Sequence, residues 1–252
     1  MNIIVLVKQT FDTEEKIVIK DGKVVDDDVK FVLNPYDEYA VEEAIRIRDD
    51  QGGKVTVVSV GTERTIEALR TALAMGADEA VLINDERIGT DEHAVAQALA
   101  AFVGTESADL VLGGNFSVDN GAGQVAVRMA KLLGIPHVSA ITKLEIADGR
   151  AVGSRDAEGD TEVVELPLPA LFTAQQGLNE PRYPSLQGIM KAKKKPLREL
   201  TLDDFGVTAE ARTAQTELFL PPQRQAGKLL SGEPAAQAQE LFRLLRTEAK
   251  VV

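Results

Sequence analysis

The sequence predicts an α/β protein: a doubly wound, mostly parallel sheet with added antiparallel strands and a C-terminal arm. Three observations carry this. β-Branched apolar runs alternate with amphipathic helical stretches up to Pro136, as βαβ units require. Shorter, more polar segments separated by Asp148-Gly149 and Glu158-Gly159-Asp160 then follow, as in antiparallel strands joined by tight turns. Beyond Phe205 the domain is finished, leaving a proline-containing tether and one closing helix.

Ile3-Ile4-Val5-Leu6-Val7 is a continuous apolar run, suited to a strand covered on both faces. Residues 55–60, 80–83 and 110–112 repeat that pattern. Residues 16–20 and 23–25 flank Asp21-Gly22 and predict a hairpin. The first long helix opens with Asn34 as N-cap, Pro35 in the first position, and Asp37 with Glu38 complementing the dipole. Ala40, Val41, Ala44, Ile45 and Ile47 form its buried stripe. The second helix uses Ile66, Leu69 and Leu73 and stops at Gly76 in a left-handed conformation. Thr90 opens the third, with Val95, Leu99 and Phe102 at helical spacing. The fourth carries Val125, Met129, Leu132 and Leu133 and stops at Gly134, with Pro136 beyond. Residues 141–146, 151–154 and 161–166 are the antiparallel strands, and 170–173 return to the main sheet. Residues 178–195 form a loop with a lysine run. The α/β domain spans 1–206 and the extension 207–252. In that extension Leu218-Phe219-Leu220 is an apolar tether, and Ala238, Leu241, Phe242 and Leu245 form a stripe. The stripe suits an arm clasping a partner subunit or a helix packed on its own domain.

The net charge of −12 argues against a general nucleic-acid binder, which needs a basic footprint. With no cysteine there are no disulfides, thiolate metal sites or thiol catalysis. His93 and His137 leave little for zinc or acid–base work. Neither a membrane-length apolar run nor a basic leader is present, so the expected compartment is the cytoplasm.

Ligands of such sheets bind beyond the carboxyl ends of the strands. Residues 113–124, Gly-Gly-Asn-Phe-Ser-Val-Asp-Asn-Gly-Ala-Gly-Gln, follow a strand and open a helix. Small residues admit an anion to backbone N–H groups, and the helix dipole favours it there. Neither a P-loop nor a Gly-x-Gly-x-x-Gly after the first strand is present. The competing reading is a glycine-rich turn with Asp119 as helix cap. Lys8-Gln9-Thr10, Gly61-Thr62 and Asn34-Pro35-Tyr36-Asp37 converge on the same rim, where an adenine could rest on Leu6 and Val60 with Asn34 at its edge. There is no nucleophile elbow and no paired-histidine motif, so no catalytic residue is assigned. Residues 178–195 read as a docking surface in which Leu186 stands beside Lys191, Lys193, Lys194 and Lys195. The lysines suit either a solvated helix end or an electrostatic docking rim.

The chain resembles the beta subunit of electron-transfer flavoproteins. The resemblance lies in Val7-Lys8-Gln9-Thr10-Phe11-Asp12, in Asn34-Pro35-Tyr36-Asp37-Glu38 with Val41-Glu42-Glu43-Ala44, and in residues 70–78, Arg-Thr-Ala-Leu-Ala-Met-Gly-Ala-Asp. The glycine-rich loop and residues 178–195 complete it. It implies an adenine-nucleotide-binding α/β fold and a heterodimer with an alpha subunit that holds most of the FAD. AMP would be bound in this subunit. Its contacts would be Leu6, Asn34, Pro35, Tyr36, Asp37, Val60, Gly114, Asn115, Phe116, Ser117, Val118, Asp119, Asn120, Gly121, Ala122, Gly123, Gln124 and Val125. Tyr36 matches an aromatic that approaches the isoalloxazine; a second falls at Thr13, so that contact is lost or passes to Phe11. Leu186 matches the anchor that enters acyl-CoA dehydrogenases, within a surface of Tyr183, Ile189, Met190, Lys191 and Lys194. Lys191 and Lys194 match positions methylated in some members. The implied role is electron carriage in fatty acid oxidation, from such dehydrogenases through FAD to a membrane quinone oxidoreductase and the respiratory chain, with no catalysis by this subunit. Two alternatives are an electron-bifurcating relative with its own FAD here and a stand-alone nucleotide-binding α/β protein. Asp119-Asn120-Gly121-Ala122 lacks the second acid and the threonine of the bifurcating loop, which favours AMP.

Overall fold

A computed structural model of the chain describes residues 1–26, 29–222 and 226–251. It divides into two compact units, Met1–Thr216 and Glu217–Val252.

In the first unit the strands are β1 (Asn2–Leu6), β2 (Gln9–Phe11), β3 (Val18–Lys20), β4 (Lys23–Val25), β5 (Phe31–Leu33), β6 (Lys54–Val60), β7 (Glu79–Ile83) and β8 (Leu110–Gly114). They continue with β9 (His137–Ala147), β10 (Arg150–Ala157), β11 (Asp160–Pro167), β12 (Ala170–Ala174) and β13 (Leu197–Leu200). The helices are α1 (Pro35–Gln51), α2 (Ile66–Met75), α3 (Glu92–Thr105), α4 (Val125–Leu133) and α5 (Leu186–Ala192). A nine-stranded sheet runs β11-β10-β9-β12-β8-β1-β6-β7-β13, parallel from β9 to β13 and antiparallel through β10 and β11.

β1 distributes its side chains to both faces, as the period of two requires. Ile3 and Val5 join a core with Val41, Ile45, Leu69 and Leu73 from α1 and α2. Ile4 and Leu6 join a second core with Leu99, Phe102 and Met129 from α3 and α4. The doubly wound fold follows from that division, and the added antiparallel strands are present as well. The three hairpin turns place Asp21-Gly22, Asp148-Gly149 and Glu158-Gly159 at positive φ, matching the right-handed twist of the flanking strands.

Several helix ends differ from expectation. Pro35 is the first residue of α1, but the Asn34 side chain makes no cap bond because it is engaged across the sheet. Gly76 ends α2 at φ 146°, outside the left-handed helical region, close against Ile45. Asp91, not Thr90, caps α3, its carboxylate accepting from the N–H groups of His93 and Ala94 at 3.0 and 2.9 Å. Gly134 ends α4 in the left-handed conformation as expected. Residues 178–195 are not all loop: Ser185 accepts from the Gly188 N–H at 3.0 Å and starts α5. The β2–β5 pair and the edge strand β13 were not foreseen.

The first unit runs through Thr216. Val207 and Ala209 pack on the second core, and the Thr213 N–H donates to the Asp91 carboxylate at 2.9 Å. In the second unit α6 (Pro234–Leu244) has no buried residue, and Phe219, Leu220, Leu229, Leu241 and Phe242 are exposed. Among the described residues no helix is long and apolar enough to cross a membrane.

Candidate functional site

β1 leads through α1 to β6 on one side, whereas β7 leads through α3 to β8 on the other. The switch point is therefore the crevice beyond the carboxyl ends of β1 and β8, where an open α/β sheet binds its ligands.

A buried carboxylate bridges this crevice. Asp37, in the first turn of α1, accepts from the Lys8 N–H at 2.7 Å, the Gly114 N–H at 3.0 Å and the Asn34 amide at 3.0 Å. It thereby ties the ends of β1 and β8 to α1. Burial pushes its pKa up to about 7, against the pull of the Asn34 amide and the two backbone donors. Asn34 extends the bracing into the loop, its Nδ2 donating to the Phe116 carbonyl at 3.0 Å and its Oδ1 accepting from the Val118 N–H at 3.2 Å. Both side chains are thus occupied in holding the loop. Gly114 is required by the close approach: a Cβ there would stand 2.2 Å from Asp37 Oδ1 and 2.9 Å from the Asp37 nitrogen.

Tyr36 is half-buried beside Phe116, ring centroids 4.2 Å apart. Leu6 is buried in the second core, Val60 packs at its margin, and Pro35 is half-buried. Phe11 packs on Phe31 at 5.0 Å, and the Arg64 guanidinium covers the other partner of that pair, Phe31, at 4.4 Å.

The loop between Gly114 and Val125 is shaped by its own contacts. The Asn115 N–H donates to the Ala174 carbonyl at 3.0 Å, the Gly121 N–H to the Ser117 carbonyl at 2.8 Å, and the Ala122 N–H to Asn120 Oδ1 at 3.0 Å. Gly121 and Gly123 adopt positive φ. Asp119 does not cap α4. It faces the other side of the crevice, where the Lys8 ammonium contacts both its oxygens at 2.8 Å and Ser117 Oγ at 3.3 Å. Gln124 precedes α4 without capping it, because its side-chain oxygen accepts from Arg128. Among the described residues, the N–H groups of Gly123, Gln124, Val125 and Ala126 have no hydrogen-bond acceptor. Thr10 Oγ1, on β2 a few residues past β1, and Ser59 Oγ, near the end of β6, are buried without a hydrogen-bond partner among the described residues. Free donors at a helix N-terminus suit an anionic oxygen, and unpartnered hydroxyls suit a polar ligand. The residues present fit a nucleotide monophosphate. The Lys8–Asp119 pair was not anticipated; its only signal was a lone charge at the end of an apolar strand and another in an uncharged loop.

The second candidate surface is α5. Leu186 is 84% exposed, Tyr183 96% and Met190 72%, with Ile189, Lys191, Lys193 and Lys194 also exposed. Its approach segment is pinned to α1. Arg182 pairs with buried Glu42 at 2.7 Å, and the Asn179 amide donates to Glu43 at 2.9 Å and the Tyr39 carbonyl at 3.0 Å. Gly188 lies so close to α2 that a Cβ would meet the Ala74 carbonyl oxygen at 2.5 Å. Lys195 belongs to no exposed rim, because its ammonium is turned inward to the Leu73 and Ala77 carbonyls.

A doubly wound α/β sheet with a braced glycine-rich loop at its switch point defines the class: open-sheet α/β proteins with a loop-to-helix turn beyond their inner strands. Comparison with known proteins narrows it. The family profile described as Electron transfer flavoprotein domain matches residues 21–205. The chain is 56% identical to the electron transfer flavoprotein subunit beta of Bacillus subtilis (strain 168), over the whole of both chains. It is 43% identical to that of Syntrophomonas wolfei subsp. wolfei, over all of this chain and 98% of the relative, and 39% identical to that of Bradyrhizobium diazoefficiens, over all of both. The chain belongs to the electron transfer flavoprotein family, among its beta subunits.

Proposed function

We propose that this chain is the beta subunit of a heterodimeric electron carrier, binding AMP in its switch-point crevice and sharing an FAD held mainly by an alpha subunit. The observation that carries the nucleotide reading is the row of unpartnered N–H groups from Gly123 to Ala126, presented by a loop that Asn34 and Asp37 brace from below. Those donors would hold the phosphate. Pro35 and Tyr36, with Leu6 and Val60, line the adenosine side, and the remaining residues from Gly114 to Val125 form the loop's wall. Asn34 and Asp37 act through the loop, since their polar atoms are already bonded. FAD, when bound, supplies the redox chemistry; Tyr36, backed by Phe116, is the residue this chain offers toward it. The chain carries out no bond-making step of its own.

The exposed α5 surface serves as the docking site for acyl-CoA and related dehydrogenases, with Leu186 as the anchor and Tyr183, Ile189, Met190, Lys191 and Lys194 around it. A small apolar hot spot with a charged rim suits a carrier that visits several partners. Electrons then pass to a membrane quinone oxidoreductase and the respiratory chain, placing the protein in fatty acid oxidation in the cytoplasm. The exposed apolar residues of 217–252 are the surface that clasps the alpha subunit.

The test is a nucleotide count. The chain is co-expressed with its alpha subunit, the heterodimer is denatured in acid, and the released ligands are separated by chromatography. One FAD and one AMP per heterodimer are expected. Two FAD and no AMP would identify a bifurcating carrier, and a colourless monomer that turns over ATP would overturn the carrier reading.

A further inference from the structure

We infer that Lys8 is a specificity residue of the nucleotide site: by neutralising Asp119 it makes the glycine-rich loop select a phosphorylated nucleotide over an uncharged nucleoside. The inference rests on the nucleotide reading above. Between residues 113 and 124 Asp119 is the only ionisable side chain, and Lys8 is the only one before Asp12. The two come from opposite sides of the crevice, Lys8 from the end of β1 and Asp119 from the loop after β8. The ammonium contacts both carboxylate oxygens at 2.8 Å and Ser117 Oγ at 3.3 Å.

The physical need is plain. The free N–H groups at the start of α4 attract an anion, but a bare carboxylate in the same loop repels one, which would favour a neutral ligand. A cation on that carboxylate removes the repulsion and leaves a net attraction for a dianionic phosphate. Lys8 is built for the task, since its backbone N–H is fixed by Asp37 while its side chain reaches across. Both side chains keep some exposure, 45% for Lys8 and 21% for Asp119, so the effect is moderated by water and salt. Two further acids stand at this end of the sheet. Asp37 is buried beneath the loop with its carboxylate bonded to the Lys8 and Gly114 N–H groups and the Asn34 amide, and Glu92 accepts from the neutral Asn120 amide at 3.2 Å.

The competing role for Lys8 is a strut that ties the loop down, and the two roles separate by ligand charge. The heterodimer is stripped of nucleotide and titrated calorimetrically with AMP and with adenosine. Flavin content and melting temperature are recorded as folding controls. Lys8→Met is expected to weaken AMP about tenfold while adenosine changes by less than about twofold. Adding Asp119→Asn to Lys8→Met restores AMP binding. Asp119→Asn alone, which frees the ammonium, tightens AMP and leaves adenosine unchanged. Equal losses for both ligands, or no recovery in the double variant, would overturn the inference. Wild-type heterodimer that binds AMP with an affinity unaffected by Lys8→Met overturns it alone; wild type that binds no AMP overturns the nucleotide reading as well.

Discussion

Arg70 and Lys195 cap each other's helical segments. Arg70 on α2 donates to the Ala192 carbonyl at the end of α5 and to the Lys195 carbonyl at 3.0 Å. Lys195 returns the contact, its ammonium donating to the Leu73 carbonyl at 3.0 Å and to the Ala77 carbonyl just past α2. Leu73 and Ala192 lie in the last turns of α2 and α5, where a cation meets the negative end of the helix dipole, and Ala77 and Lys195 lie just beyond those turns. The exposed α5 surface is thereby held on a rigid mount.

Arg70→Met should release that mount. Losing two hydrogen bonds from a charged donor should cost about 2 kcal/mol in chemical denaturation. Amide exchange should rise across Leu186–Ala192, while the crevice between β1 and β8 stays protected. Uniform exchange across both regions would show that α5 is not separately held.

Gly114→Ala and Gly121→Ala should differ sharply. At Gly114 the added Cβ meets Asp37 Oδ1 at 2.2 Å and backbone nitrogen at 2.9 Å, so α1 must move; a loss of about 3 kcal/mol is expected, with nucleotide lost from the purified heterodimer. At Gly121 nothing lies within 4 Å, and only the φ of +74° opposes a side chain, for about 1 kcal/mol. Urea unfolding and nucleotide content, measured together, check both.

Asp37 should give stability a distinct pH dependence. Its pKa rises from 3.8 to about 7 on folding, so the folded state binds the proton more tightly than the unfolded chain. Stability from this group is full below pH 3.8, falls as pH rises, and reaches its floor above about 7. The ionised form costs on the order of 4 kcal/mol across that window. Asp37→Asn should flatten this part of the denaturation-versus-pH curve, at the expense of one backbone donor left facing an amide. An unchanged slope would mean Asp37 titrates normally.

Leu186→Ala should separate docking from folding. With its side chain 84% exposed, truncation should change stability by less than about 0.5 kcal/mol and leave flavin bound. Reduction of the heterodimer by an acyl-CoA dehydrogenase should slow about tenfold if Leu186 is the anchor. An unaltered rate in stopped-flow measurement would remove Leu186 from that role.

The fold was legible wherever one residue's local preference and its tertiary role agreed. The apolar runs of β1, β6, β7 and β8, the Pro35 start of α1 and the Gly134 stop of α4 are such cases. Legibility failed where a side chain had a distant use. Asn34 has the chemistry of a cap, yet its amide serves Phe116 and Val118, some eighty residues away in the chain. Asp119 reads locally as a cap and instead pairs with Lys8. α5 was hidden by the prolines before it, and β13 by being four residues long at the edge of the sheet, where only pairing with β7 defines it. At the switch point the glycine-rich loop stood out, because glycine shows in the sequence the closeness that Gly114 displays in the structure.

The central position of β1 has a consequence for synthesis. Its neighbours are β6 and β8, so the first strand to leave the ribosome receives its last flank only after residue 114 has emerged. Until then five mostly apolar residues wait without one ladder, a non-local closure of the kind that slows folding and exposes nascent chains to aggregation. Lys8 and Asp37 form their contacts with Asp119 and Gly114 at the same late stage, so the crevice can be assembled only when the heart of the sheet is closed.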